Sequence, residues 1–116
     1  MALGKGIKAM LDTFVDSRVY VMQLPDTPEF PAIVMQRISG PRASILWRPR
    51  YQLSCWARSY KEAEELAEDV TEALHGFNGD IDDTHGVILV ESNGLDDYEP
   101  DTGLYRRIVD IYLYHW

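Results

Sequence analysis

The sequence has little of what marks several large classes of protein. Its 116 residues include one cysteine, Cys55, so no intrachain disulfide can form. No apolar run is longer than four residues, which is far too short to cross a bilayer. The first residues also lack the long apolar stretch and small-residue cleavage site of a secretion signal. We therefore expect a chain made in the cytosol, with no membrane partner and a thiol packed in the core.

Recognisable catalytic and metal-binding motifs are missing as well. The chain contains no G-x-S-x-G, P-loop or G-x-G-x-x-G motif, and its three histidines lie far apart in sequence. Residues 78–83 resemble a calcium loop, but Asp83 replaces the required glycine and Leu89 the closing glutamate. We expect a solvated turn at residues 78–83, no metal or other cofactor, and no enzymatic activity.

Basic residues are scarce in the second half of the chain. The formal charge is -8 at pH 7. Residues 1–58 carry eight Lys and Arg against four Asp and Glu, a balance of +4, whereas residues 59–116 carry three against fifteen, a balance of -12. Phosphate contacts need clustered Lys and Arg, so this balance disfavours a protein whose main surface binds nucleic acid.

Hydrophobic periodicity predicts one α+β domain over residues 1–116. Apolar residues three and four positions apart predict an amphipathic helix over residues 3–14. A second helix begins at a capping box formed by Ser59 and Glu62 and ends before Gly76. Alternating apolar residues and turn residues predict strands over residues 19–24, 32–38, 51–58, 86–92 and 104–116. The predicted order is α-β-β-β-α-β-β.

Strands grouped before and after a helix favour a mostly antiparallel sheet with helices packed on one face. The second helix has an apolar stripe for this contact and an almost wholly acidic outer face. The last strand is apolar or aromatic on both sides. It could be an interior strand, or its second face could be buried against another subunit.

One loop carries apolar and aromatic residues where turn residues are usual. Residues 40–49 join two predicted strands, and a loop of this kind normally presents polar side chains. The segment could fold back over the core, or it could form a subunit interface, since Trp and Arg are favoured at the centres of protein contacts. The candidate interface residues in this loop and directly after it are Arg42, Ile45, Leu46, Trp47, Arg48 and Arg50.

A row of carboxylates on the second helix is the complementary candidate. Glu64, Glu68 and Glu72 are spaced at i, i+4, where like charges destabilise a helix by a few tenths of a kcal/mol per pair. A basic patch on a neighbouring subunit would relieve that repulsion. The alternative is that these carboxylates are solvated and serve solubility alone.

The order and spacing of several motifs resemble the phage tail-completion or tail-terminator family. The resemblance covers nearly the whole chain and rests on residues 24–25, 31–34, 37–40, 59–63 and 101–107, together with Gln52 and Asp110. It implies an α+β subunit of a hexameric ring in the virion, assembled in the host cytoplasm. The ring would cap the tail tube, end its growth and join the head connector.

The resemblance also implies partners and a role for the acidic loop near the C-terminus. The partners would be further copies of the chain, the major tail tube protein and a head-tail connector or neck protein, while DNA would pass without specific binding. Carboxylates repel phosphates, so a lumen or partner-facing surface is expected at Asp96, Asp97, Glu99 and Asp101 or on the acidic helix. The competing interpretations are a head-completion adaptor of the neck and a small acidic monomeric binding module.

Overall fold

The computed structural model describes residues 2–12, 18–22, 29–38, 50–81 and 84–115. In these ranges the chain forms α1 (Ala2–Asp12), β1 (Val19–Val21), β2 (Ala32–Ile38), β3 (Arg50–Ala57), α2 (Tyr60–Leu74), β4 (Asn78–Ile81), β5 (Thr84–Glu99) and β6 (Leu104–His115). The strands make one sheet in the order β1-β2-β3-β6-β5-β4. The α+β class predicted from the sequence is confirmed.

The prediction of a mostly antiparallel sheet needs one correction. The pairs β2–β3, β3–β6, β5–β6 and β4–β5 are antiparallel, but β1 runs parallel to β2. The sheet is therefore mixed, because the chain returns to the end where β1 starts before β2 begins. Hydrophobic periodicity could not predict this parallel pairing, because it indicates which face of the sheet a residue lies on and not the direction of the strand.

The second correction concerns residues 78–83, which were predicted to form a solvated turn. Residues 78–81 are strand β4, paired with the start of β5, so three strands follow α2 in the described chain. Ile81 is 1% exposed and joins the core, which accounts for the ordered edge strand. The polar side chains of Asn78 and Asp80 face His85 on β5, with its ring nitrogens 2.8 and 3.4 Å from their oxygens.

Strand β5 is also much longer than the predicted residues 86–92. Asn93-Gly94 is a strong turn signal in sequence. In the structure the chain passes this point as a strand with two register shifts, between Val90 and Ser92 and between Asn93 and Leu95. Such bulges add an unpaired residue and increase the local twist. As a result β5 and β6 form a long hairpin that extends as far as the turn at residues 100–103.

Both helices pack on the same face of the sheet, as predicted. Ile7 and Leu11 of α1 are fully buried, and α2 contributes the apolar stripe that the sequence indicated. These side chains share one core with the predicted inner positions of β3 and β6. That core includes Leu66, Ala67, Val70, Leu74, Tyr51, Leu53, Cys55, Val109, Ile111 and Leu113.

Strand β6 lies inside the sheet, between β3 and β5. Its inner residues are buried against the helices, while Tyr112 and Tyr114 on the opposite face are half-buried. An interior position pairs both edges of this strand but does not cover its outer face, so burial of that face against another subunit stays a prediction. Trp116 continues the alternation of Tyr112 and Tyr114 in the sequence, but it lies outside the described residues.

The caps of α2 follow the sequence signals closely. The Ser59 hydroxyl accepts a hydrogen bond from the Glu62 backbone N–H at 3.2 Å, and Gly76 has a φ of 81° just after the helix. We expect Gly76→Ala to lower the free energy of unfolding by about 1 kcal/mol, because a Cβ is unfavourable in the left-handed region. Urea denaturation tests this. Gly76→Asn is the control and should lose less, since asparagine tolerates that region; an equal loss would count against backbone strain as the cause.

Candidate assembly interface

Most of the predicted basic interface segment lies outside the described residues. This holds for Arg42, Ile45, Leu46, Trp47 and Arg48. Arg50 is described and begins β3, where one of its guanidinium nitrogens is 3.2 Å from an Asp110 carboxylate oxygen. The same guanidinium lies 5.8 Å from the centre of the Tyr112 ring. Contacts with Asp110 and Tyr112 therefore hold Arg50 in place at the end of the basic segment.

The acidic row on α2 is less uniform than its spacing suggests. Glu68 and Glu72 are exposed, as predicted. Glu64 is half-buried, with its carboxylate 3.5 Å from the Arg107 guanidinium of β6. The alternative of simple solvation thus describes Glu68 and Glu72 better than Glu64, whose side chain is 38% exposed and paired with Arg107. The repulsion between Glu64 and Glu68 is relieved in part within the chain.

Arg107 is the centre of a network that ties α2 to the β5–β6 hairpin. It lies on the helix-facing side of β6, and only 9% of it is exposed. Its guanidinium donates two hydrogen bonds to the Asp96 carboxylate, at 2.6 and 3.1 Å, and one to the Tyr60 hydroxyl at 3.2 Å. The Tyr60 hydroxyl in turn donates to Asp96 at 3.2 Å. Two-point pairing of this kind fixes geometry as well as adding energy.

The electrostatics of this network follow from its hydrogen bonds. The Arg107 guanidinium holds the pKa of the Asp96 carboxyl below its usual range, and Asp96 raises the pKa of Arg107 in return. Donation to Asp96 raises the pKa of the Tyr60 hydroxyl. These shifts show that the network stabilises the charged forms of Asp96 and Arg107 and the protonated form of the Tyr60 hydroxyl.

The acidic loop residues differ in how far their charges are already paired. Asp96 is paired with Arg107, and the Asp97 carboxylate accepts a hydrogen bond from the Arg106 guanidinium at 2.6 Å. Glu99 and Asp101 lie at the exposed end of the hairpin. There the Thr102 hydroxyl donates to Glu99 at 3.1 Å. The outward negative charge of this region is therefore carried by its last two carboxylates.

Three tyrosines form a shallow, open depression beside the Arg107 network. Its lining residues, which we call the tyrosine groove, are Tyr60, Asp96, Asp97, Tyr98 and Tyr105. The Tyr98 and Tyr105 rings are 4.8 Å apart between centres, and Tyr60 meets Tyr105 edge-on at 6.4 Å. Tyr98 is 50% exposed and Tyr60 is 46% exposed. The groove is the place where the hairpin end and the start of α2 present aromatic surface to solvent.

The described residues offer neither a metal-binding cluster nor a reactive thiol. Within them, no three His, Cys, Asp or Glu side chains come close enough together to hold a metal ion. Burial raises the pKa of the Cys55 thiol to about 12, so the nucleophilic thiolate is suppressed. No helix in the described part of the chain is long and apolar enough to span a membrane.

Comparison with known protein families identifies the family of this chain. A family model described as "Tail completion protein gp17" matches residues 5–115. The chain belongs to the tail completion protein gp17 family. It is a structural protein of a phage tail and not an enzyme, as the sequence resemblance implied.

Solved structures agree with the fold of this tail completion protein. A chain from a structure titled "Virion of native gene transfer agent (GTA) particle" superposes with a TM-score of 0.68 at 14% sequence identity. The match covers 98% of this chain and 91% of the other chain. At this identity the likeness shows the fold. No curated protein matches the sequence.

The Arg107 network is the main feature of this tail completion protein that sequence reasoning missed. Its members come from α2, β5 and β6 and are up to 47 positions apart. The available signal was the arginine itself, because Arg107 occupies a core position in the alternation of the last strand. An arginine at a core position rarely lacks a carboxylate partner.

Proposed function

We propose that this tail completion protein assembles as a homohexameric ring on the end of the phage tail tube. The ring ends tube polymerisation and provides the joint to the head connector or neck protein. The family match over residues 5–115 carries the proposal. It is supported by the similar chain that comes from an assembled virion particle. Its partners are other copies of itself, the major tail tube protein and a neck protein.

The charge asymmetry of the chain supports a ring. A closed ring is built from heterologous contacts, in which one patch of each subunit meets a different patch of the next. The basic segment at residues 42–50 and the acidic end of the β5–β6 hairpin, with Glu99 and Asp101 exposed, are suited to such a contact. Complementary charges also speed the encounter and set its register.

The oligomeric state tests this proposal. Native mass spectrometry of the purified protein, before and after mixing with tail tubes, should reveal a species of six times 13.3 kDa. Negative-stain images of the same sample should show open rings. A protein that remains at 13.3 kDa in both samples, with no density on the tube ends, would contradict it.

We also propose that the ring keeps DNA from adhering to its lumen. Asp96 and Asp97 are paired with arginines of their own chain, so the exposed α2 carboxylates are better suited to repel phosphates. Reversal to lysine by Glu68→Lys with Glu72→Lys should create salt-sensitive DNA binding, since lysines in a lumen release counterions from phosphates. Fluorescence anisotropy with duplex DNA measures this.

The control variant for the lumen prediction carries the same change in charge at two residues outside α2. Glu29 and Asp80 are exposed and lie outside α2. The variant Glu29→Lys with Asp80→Lys should bind DNA at least tenfold more weakly than the α2 variant at ~0.15 M salt, where screening extends over about 8 Å. Equal binding by the two variants would show that net charge, and not a lumen on α2, governs the contact.

A further inference from the structure

We infer that the tyrosine groove of one subunit receives the basic segment at residues 42–50 of the next copy, with Trp47 seated against Tyr98. The inference rests on the proposed ring, and it names the two surfaces that meet between adjacent subunits. Four lines of argument support it: exposed aromatic area, rigidity, charge and reach.

Exposed aromatic surface is concentrated at this place. Among the described residues, the exposed large apolar side chains are Met22, Tyr60, Leu89 and Tyr98. Two of these four line one depression of about 190 Å³, which is enough for one large side chain. Aromatic side chains that are exposed together on a concave surface are typical of protein contacts.

The groove is held rigid by the network beneath it. The Tyr60 hydroxyl is fixed between Arg107 and Asp96, and the Tyr98 ring rests on Tyr105. Arg106 likewise holds Asp97, and its guanidinium lies 5.1 Å from the centre of the Trp56 ring. A preorganised surface loses little conformational entropy when a partner binds, so its contacts contribute more to affinity.

The charges around the groove favour a basic occupant. Glu99 and Asp101 add exposed carboxylates at the hairpin end, and Glu64 lies beside Tyr60 on α2. Residues 37–50 of this chain contain four arginines and no acidic residue. An arginine of that segment can lie over a tyrosine ring and pair with a carboxylate at the same time.

Reach excludes this contact within one subunit. In the pairing of β3 with β6, Arg50 lies opposite Tyr112, and Ala57 lies opposite Tyr105 of the groove. Arg50, where the basic segment joins β3, is therefore seven strand residues, or about 23 Å, from the groove. The Cα of Trp47 is three residues from Arg50 and can be at most about 11 Å from it. The remaining gap of about 12 Å or more is too long for Trp47 to be seated in its own groove. Between a subunit's own segment and that of a neighbouring copy, only the neighbour's segment can reach the groove.

A peptide experiment tests the contact without requiring a ring. A labelled peptide of residues 37–50 is titrated into the Trp47→Ala protein, whose own segment competes less. Saturable binding is expected, and Tyr98→Ala added to that protein should weaken it more than tenfold. Leu89→Ala is the matched control, because Leu89 is an exposed apolar residue outside the groove, and it should leave binding unchanged.

A second groove variant tests the contact even if Tyr98→Ala does not fold. Glu99→Lys with Asp101→Lys changes two exposed residues at the hairpin end and should also weaken the peptide by more than tenfold at low salt. The inference is overturned if the peptide does not bind the Trp47→Ala protein. It is overturned equally if the peptide binds the folded groove variants as tightly as their parent.

Mixing two assembly-defective variants tests the direction of the contact. Trp47→Ala retains the groove, and Tyr98→Ala retains the tryptophan, so each alone should stay monomeric. An equal mixture can form one intact contact and should give heterodimers but no closed rings. If wild-type protein forms rings and the mixture gives no heterodimer, the groove inference fails while the ring stands. If wild-type protein never assembles, alone or on tubes, the proposed function fails.

Discussion

Replacing Arg107 with methionine is expected to lower the free energy of unfolding by about 2–3 kcal/mol. Methionine keeps much of the apolar stem but removes the two hydrogen bonds to Asp96 and the one to Tyr60. Hydrogen bonds to charged groups contribute roughly 1.5–3 kcal/mol, and Asp96 is exposed enough to regain hydration once it loses its partner. Thermal and urea denaturation measure the loss, which corresponds to a melting temperature lower by about 10 °C.

Two comparisons show whether the ion pair is the cause. Lys61→Met removes an exposed lysine 3.9 Å from Glu65 and should change stability by less than about 0.5 kcal/mol. Asp96→Asn combined with Arg107→Met should be little less stable than the worse of the two single variants, because both remove the same interaction. Losses that simply add would argue that Arg107 and Asp96 act independently.

The same ion pair predicts how stability depends on acid. The Asp96 pKa is lowered in the folded protein by Arg107, so its contribution is fully present above the unfolded value of about 3.9. It is lost as pH falls through the lower folded value. Arg107 and Tyr60 contact this carboxylate, Glu64 contacts the same guanidinium, and the arginine stays charged throughout this range. The stability difference between wild type and Arg107→Met should therefore shrink below about pH 4, as measured by urea denaturation from pH 7 to pH 3.

Trp47→Ala is expected to weaken self-association more than tenfold while leaving the fold intact. Truncation of a tryptophan at the centre of an interface commonly costs at least about 2 kcal/mol of binding free energy. Sedimentation velocity across a range of concentrations measures the shift toward monomer, and circular dichroism checks the fold. A variant that unfolds would place Trp47 in the core. A folded variant that assembles as well as wild type would remove it from the interface.

The sequence predicted those elements whose signals are local. The α2 boundaries followed from Ser59, Glu62 and Gly76, which act within one turn of the helix ends. The core positions of β3 and β6 followed from strict alternation, because one face of each strand packs on the helices. These features need no knowledge of distant residues.

The features that the sequence did not predict depend on distant partners. Asn93-Gly94 reads as a turn, yet pairing with β6 carries β5 through it with bulges. Strand β4 looks too polar for a strand, and its order comes from the burial of Ile81 and from pairing with β5. The pairing of Arg107 with Asp96 depends on the register of β5 on β6, which those bulges set. A one-residue change in register would place the two side chains on opposite faces.

In the candidate interface, too, the sequence predicted local features and missed contacts between distant residues. Spacing alone indicated that Glu68 and Glu72 are exposed, since a helix repeats its faces every three or four residues. It could not show that Glu64 meets Arg107, or that Asp97 meets Arg106, because these contacts join separate elements. The tyrosine groove was missed for the same reason: its rings come from α2, β5 and β6 and are adjacent only in the folded chain.

The length of tails made without this protein tests the central claim most directly. Electron microscopy would compare tails from host cells that carry the phage with its gene intact and with the gene interrupted by a stop codon. If the protein caps the tube, intact phage should give tubes of one length ending in a ring. The interrupted gene should give tubes without that ring, broadly distributed toward greater lengths, and supplying the chain in trans should restore the single length. Tubes of the same length and the same ends in both samples would contradict the account.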